Sequence, residues 1–411
     1  MALKYAKKGV LAKTEVTPGT SPDPTAAEDS LETIGFDVTP IESTVVDLEQ
    51  DRSTLGAAEQ VSIGNAASCT FGTYIAGRGT SNGGSAIVQP GYDAVIQGCG
   101  FQGRSQEFDT WAVGDVFAVG DITKVSTDGF ICILPHTAAS TNNPTSGADT
   151  ATYWKQIDAW AANTDYDPGY LVVGNSKVYR CHTRHTAAAG SGPTSANGGV
   201  YWHEYGNSYI YRPDSDNPKT VYFDANLDGN KHVITSARGT MTGSFTAGAL
   251  PQYQFTYQGF YVDPTASKAL NYDYGRFETP RGVTKRDTPN AFIHGQKVVM
   301  NSLNFDCGNQ IEIIDEINAE SIELNNRSVS GNAVIEMPKV DVFNWFTQIK
   351  GLVKDGLYLQ HGPENNRVEL YAPRVSLAPP SITENKGRYM LDIPLRFLPD
   401  KGDDDIEIRT L

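Results

Sequence analysis

One unit of roughly fifty residues is written twice in this chain, and that repeat constrains the fold more than any other feature. Trp111 recurs as Trp160, Phe117 as Tyr166, Gly120 as Gly169, Cys132 as Cys181, His136-Thr137 as His185-Thr186 and Pro144 as Pro193, each 49 residues on. Tyr153-Trp154 then recurs as Tyr201-Trp202 at a spacing of 48. Four of the five tryptophans fall inside this block, so it has aromatic material for two small cores of its own. The readings that follow are boundaries of 108–156 for the first small β module and 157–206 for the second.

With the block set aside, the flanks read as strands separated by turns. Val45, Val46 and Leu48, then Val61 and Ile63, alternate among Gly and Asn, and the chain holds 40 glycines in 411 residues, which suits an all-β protein. Two short helices interrupt the strands. Tyr92, Val95, Ile96 and Cys99 fall at i, i+3, i+4 and i+7 behind Pro90 and before Gly100. Asp341 opens a second candidate, with Val342, Phe346 and Ile349 on one face and Gly351 at its end.

A matching pair of strands follows each helix. Val233 and Ala237 lead to Tyr253, Phe255, Tyr257 and Tyr261; Val368 and Ala372 lead to Tyr389, Leu391, Ile393 and Phe397, offset by 135 and 136. Gly100 to Val233 spans 133 residues, whereas Gly351 to Val368 spans 17, and the difference is the repeated block. The predicted organisation is an N-terminal arm over 1–35, a first β domain over 36–107 plus 207–285 that carries the two modules, and a second β domain with a C-terminal tail over 286–411. The fold class expected is all-β, a sandwich or barrel domain duplicated, with one short helix in each copy.

The net charge of −15 excludes a surface that clamps nucleic acid by counterion release, but not a wall that nucleic acid slides past. Five cysteines, odd in number and without Cys-x-x-Cys spacing, read as reduced and buried. No apolar run approaches the length of a signal peptide or membrane span, so no membrane anchor is expected. Asp224 to Gly229 opens like a calcium loop, but Thr235 stands where the bidentate Glu belongs, and the stretch reads as a hairpin turn. Cys181-x-x-x-His185 is repeated as Cys132-x-x-x-His136, which reads as a shared structural role rather than a zinc site. No phosphate loop, nucleophile elbow or HExxH helix occurs; the expectation is no enzyme, no cofactor and no metal.

The repeated block resembles the small chitin-binding-type carbohydrate-binding modules: Trp160, Tyr166, Tyr179, Pro193, Tyr201 and Trp202 match their pattern, while Phe130 replaces Tyr179 in the first copy and Val125 stands where Gly174 does. The resemblance implies sugar stacking on Trp111, Trp154, Trp160, Tyr179 and Trp202. The remainder resembles the tail tube (major tail) proteins of long-tailed bacteriophages, in the opening Leu3 to Glu15, the helix ending Gly98-Cys99-Gly100-Phe101, Ala237-Arg238-Gly239 and the strand from Tyr253 to Gly259.

That second resemblance implies a structural virion protein, assembled in the host cytoplasm into the virion tail, where rings of six tube domains stack into a hollow tube for DNA passage. A chain with two such domains then forms trimeric rings of pseudo-sixfold symmetry; a single-domain chain forms hexamers. Its partners are further copies of itself, other tail proteins, viral DNA in unspecific transit and, through outward modules, a host surface glycan. The block from Phe108 to Tyr205 holds nine acids and five bases, so it carries −4 of the −15 and the rest of the chain −11. An acidic lumen repels phosphate, and Glu312, Asp315, Glu320, Glu323 and the tail Asp403, Asp404 and Asp405 are the candidates to line it. The alternative is a soluble glycan-binding protein or the accessory domain of a carbohydrate-active enzyme, with the paired modules as its working part.

Overall fold

A computed structural model describes residues 3–51, 53, 56–78, 87–268 and 270–411. It is mostly β, with three short helices among the described residues. All pairings of the body are antiparallel, and they run in one order twice. In the first run Ile34–Asp47 pairs with Gln60–Tyr74, then Gln252–Ala266, Asn230–Thr246, Val221–Leu227 and Lys8–Thr14. In the second run Met300–Asp306 pairs with Ser330–Glu336, then Arg388–Leu398, Val368–Leu377, Lys354–His361 and Asn290–Ile293. Each run places its short helix between its second strand and the strand that enters its next hairpin. The strands matched in the sequence at offsets of 135 and 136 therefore hold the same place in the two runs.

Two seams join the runs. Met300–Asp306, the edge of the second, pairs with the far end of Asn230–Thr246, Thr242 opposite Asp306 and Thr246 opposite Ser302. The last strand, Glu407–Thr410, lies between Val368–Leu377 of the second run and Ser208–Pro213, which returns from the repeated block. One apolar core crosses both runs, from Val10, Phe71 and Tyr257 to Leu303, Ile393 and Ile408. Burying such side chains contributes about 1.5–3 kcal/mol each.

The helix at Asp93–Gln97 buries the stripe its spacing predicts, with Tyr92, Val95, Ile96 and Cys99 all inside the core. The second helix is corrected. Residues 341–343 form a turn on the Lys339 carbonyl, and Asn344 is the cap, its side chain accepting from the Thr347 amide at 3.1 Å. The helix Trp345–Lys350 therefore starts three residues late and buries Trp345, leaving Val342 and Phe346 exposed.

Within residues 1–35, Lys8–Thr14 is an extended strand paired along its whole length with Val221–Leu227. Val10, Leu11 and Ala12 are buried there, and the buried Glu15 carboxylate accepts from the Ser236 amide and the Thr220 hydroxyl. The Asp228-Gly229 turn joins two strands as expected, with Asp224 held by Lys231 at 2.6 Å and Asp228 by Lys7 at 3.3 Å. Among the described residues no helix is long and apolar enough to cross a membrane.

Candidate functional site: the junction of the repeated units with the body

Each repeated unit builds a small sheet around three antiparallel strands, to which the first unit adds Asp109–Thr110 parallel to its Ile122–Val125 strand. The first has Ile122–Val125, Asp128–Cys132 and Trp154–Ile157; the second has Leu171–Gly174, Lys177–Cys181 and Trp202–Glu204. Bonds recur at the repeat spacing. The Gly120 amide donates to the Cys132 carbonyl and Gly169 to Cys181; Trp154 Nε1 donates to the Asn142 carbonyl and Trp202 Nε1 to Ser191.

These bonds decide the fate of the expected sugar-stacking rings. Trp154 and Trp202 are 4% and 2% exposed and pack edge-on against Phe117 and Tyr166, so neither offers a face to a ligand. Both are corrected to core residues, because a unit this small needs its largest ring at its centre. Trp111, Trp160 and Tyr179 lie half-buried at the margins of the same two cores. The repeated cysteines are also internal: Cys132 and Cys181 donate to the carbonyls of Leu134 and Thr183, and burial pushes both thiols up to about 12. A protonated thiol is a poor metal ligand, and no cluster of three metal-ligating side chains occurs among the described residues.

The repeated glycines are where the units dock. Gly120 and Gly169 have φ of +84° and +97°, a left-handed turn that disfavours any side chain. Each is also approached by the body. A Cβ on Gly120 would lie 2.4 Å from the Arg212 guanidinium carbon, and one on Gly169 would lie 2.2 Å from the Tyr371 ring. One glycine thus serves the turn and the contact in both units. Gly169→Ala is expected to cost about 2–4 kcal/mol, from left-handed strain plus overpacking. Faster proteolysis within 157–206, at an unchanged rate elsewhere, checks it.

Beneath these turns lies a buried charge network. Glu369 and Arg409 are fully buried and pair at 2.9 Å; Glu407 lies 2.7 Å from Arg180 and 2.9 Å from Arg212. The second unit supplies Arg180 and His203, whose Nε2 stands 3.0 Å from Glu369, and Arg212 donates to the carbonyls of Val119 and Gly120 in the first. The guanidinium groups of Arg180 and Arg409 lie over the Tyr205 ring, 4.3 and 5.1 Å from its centre. Burial raises the carboxyl of Glu407, but Arg180 and Arg212 outweigh it and hold the group down to about 2. Burial likewise opposes ionisation of Glu369, yet Arg409, His203 and Arg180 hold it well below the carboxylate range. Burial pulls His203 down to about 3, against the pull of Glu369. Composition gave no sign of this network; the one signal in the sequence was Arg180 standing in an apolar strand where its counterpart is Ile131.

The expected lumen acids do not share a face. They lie on a separate hairpin, Gln310–Glu316 with Ala319–Asn326, with Glu312 opposite Glu323 and Asp315 opposite Glu320. Alternation along a strand sends these two pairs to opposite faces. Glu323 accepts from Arg238 and Glu312 from Asn325. The tail acids are held in place: Arg327 binds half-buried Asp403 and buried Asp405, and half-buried Asp404 accepts the amides of Asp400 and Lys401.

No family model matches the chain, and none of the curated proteins matches it in sequence.

Proposed function

We propose that this chain is a structural subunit that assembles through sheet edges into rings, a tail tube protein of a long-tailed bacteriophage, with the two repeated units displayed on the outside. The observation that carries the reading is the in-chain seam. Two strand runs of one order meet where the first strand of the second run adds to the fourth strand of the first. Among the described residues the first strand of the first run, Ile34–Asp47, pairs only with Gln60–Tyr74, which leaves its other edge without a strand partner there. The matching acceptor in the second run is Ser381–Asn385, which continues from Val368–Leu377, pairs on one side with Arg388–Leu398, and leaves Ile382 56% exposed. Open edges of this kind are a hazard to a monomer and a joint in an assembly.

Repeating the in-chain seam between copies closes three chains into a ring of six domains. The test is negative-stain microscopy of the full chain with rising concentration, beside Ile382→Asp. Rings of three copies with knobs outside are expected from the natural sequence, and dispersed, folded monomers from the variant. A natural chain that stays monomeric at every concentration would count against assembly, and Ile382→Asp rings would move the joint elsewhere. The glycan-binding alternative loses the stacking faces of Trp154 and Trp202, on which it partly rested.

A further inference from the structure

In each run a hairpin stands between the first strand and the second. In the second run it is Gln310–Glu316 with Ala319–Asn326; in the first it is the outer half of Ile34–Asp47 with that of Gln60–Tyr74. The hairpin of the second run lies over the end of the first helix. At its foot Asn309 Nδ2 donates to the carbonyls of Cys99 at 2.7 Å and Gly239 at 2.9 Å, Glu323 accepts from Arg238 at 3.0 Å, and a Cβ on Gly100 would lie 2.8 Å from Leu324 Cδ1. Ile311 opposite Leu324 and Ile313 opposite Ile322 make its apolar face, and Ile322 is buried. This contact continues the seam between the runs, since Asn309 follows closely on Asp306, which pairs with Thr242.

The counterparts of both surfaces are exposed. Val46 pairs with Val61 and Thr44 with Ile63, so Val46, Val61 and Ile63 share one face of the first hairpin, and all three are open to solvent. The second helix ends, like the first, in a residue of left-handed backbone: Leu352 has φ of +50° where Gly100 has +77°. Leucine is disfavoured in that conformation, yet this one stands 72% exposed, with Phe346 on the helix and Val353 beyond it exposed too. Charge runs in the same sense at both places. Within the chain the helix side brings the base, Arg238, and the hairpin the acid, Glu323. The second helix end carries exposed Lys350 and Lys354, and the first hairpin exposed Asp47 and Glu59.

We propose that the Val46, Val61 and Ile63 face of one copy docks on Phe346, Leu352 and Val353 of a second copy, covering between chains what Leu324 covers at Gly100 within one. The docking rests on the ring reading, in which the edge of Ile34–Asp47 joins Ser381–Asn385 of the next copy and carries the first hairpin to that copy's second helix. The test separates the two. Val61→Cys and Ile63→Cys are each combined with Leu352→Cys in the full chain and treated with a bismaleimide. The five natural cysteines are buried and the three replaced side chains exposed, so the folded chain reacts at the new positions. Linked dimers and trimers of the chain are expected on denaturing gels, in excess of those from the single variants. Leu352→Asp is expected to raise the concentration at which rings form about tenfold or more. The monomer should keep its thermal stability, because Leu352 is exposed there and Asp tolerates left-handed backbone. Rings in the microscope without linked chains from either pair overturn the docking and leave the ring; a natural chain that forms no rings overturns both. A link within one chain, or rings of Leu352→Asp at the concentration of the natural chain, also overturns the docking.

Discussion

Replacing Glu369 by alanine is expected to lower the free energy of unfolding by about 3–5 kcal/mol, the cost of breaking a buried ion pair from one side. The reason is what remains. Arg409 is fully buried and its Nη1 has Glu369 as its carboxylate partner at 2.9 Å; Arg180, 2% exposed, and His203 also face that carboxylate. Alanine leaves Arg409 with Ser208 Oγ and the carbonyls of Glu204 and Tyr205, none of which carries the balancing charge. Chemical denaturation at pH 7 reads the loss. The double variant Glu369→Leu with Arg409→Met is expected to lose much less than the single one, because it removes both charges together. Equal losses in both would mean that the pair acts by shape and not by charge.

The same network separates what was legible in the sequence from what was not. Periodic signals survived: the Tyr92, Val95, Ile96 and Cys99 stripe is buried as written, and the strands at Val233 and Val368, and at Tyr253 and Tyr389, hold matching positions. At the repeat spacing each copy holds a left-handed turn glycine, Gly120 and Gly169, and a buried ring, Trp154 and Trp202. Signals that depend on a neighbour far along the chain did not. Trp154 and Trp202 read as stacking rings until their indole N–H groups are seen bonded inward across a loop. Glu312, Asp315, Glu320 and Glu323 were named as lumen candidates one by one, and only the pairing register shows that they divide between two faces. Arg409 and Glu369 lie 40 positions apart and Arg180 far from both, so no local pattern announces that they meet. The partner of Lys8–Thr14, Val221–Leu227, is likewise more than two hundred residues away, so the sequence names the arm but not what it pairs with.

Acid is expected to loosen the second repeated unit before it unfolds the body. His203 faces Glu369 and Arg409 and stacks on His182 at 5.2 Å, and burial takes its pKa from 6.5 to about 3. A chain unfolded around it binds a proton that the folded chain refuses, so stability is full above pH 6.5 and falls as the pH drops from there toward 3. Glu407, facing Arg180, Arg212 and Tyr205, adds to this lower down. Its folded value of about 2 lies below its ordinary 4.5, so its contribution is present above 4.5 and is lost as pH falls through 2. Both signs agree, and both groups act where Arg180 and His203 of the second unit meet the body. Hydrogen exchange at pH 7, 5 and 4 is the measurement: protection of Lys177–Cys181 and Trp202–Glu204 is expected to fall with acid while that of Gln252–Ala266 holds. His203→Gln, which keeps a polar partner for Glu369 without a titrating ring, is expected to flatten the change between pH 6.5 and 4. A uniform loss across body and units would place the acid-sensitive step outside this junction.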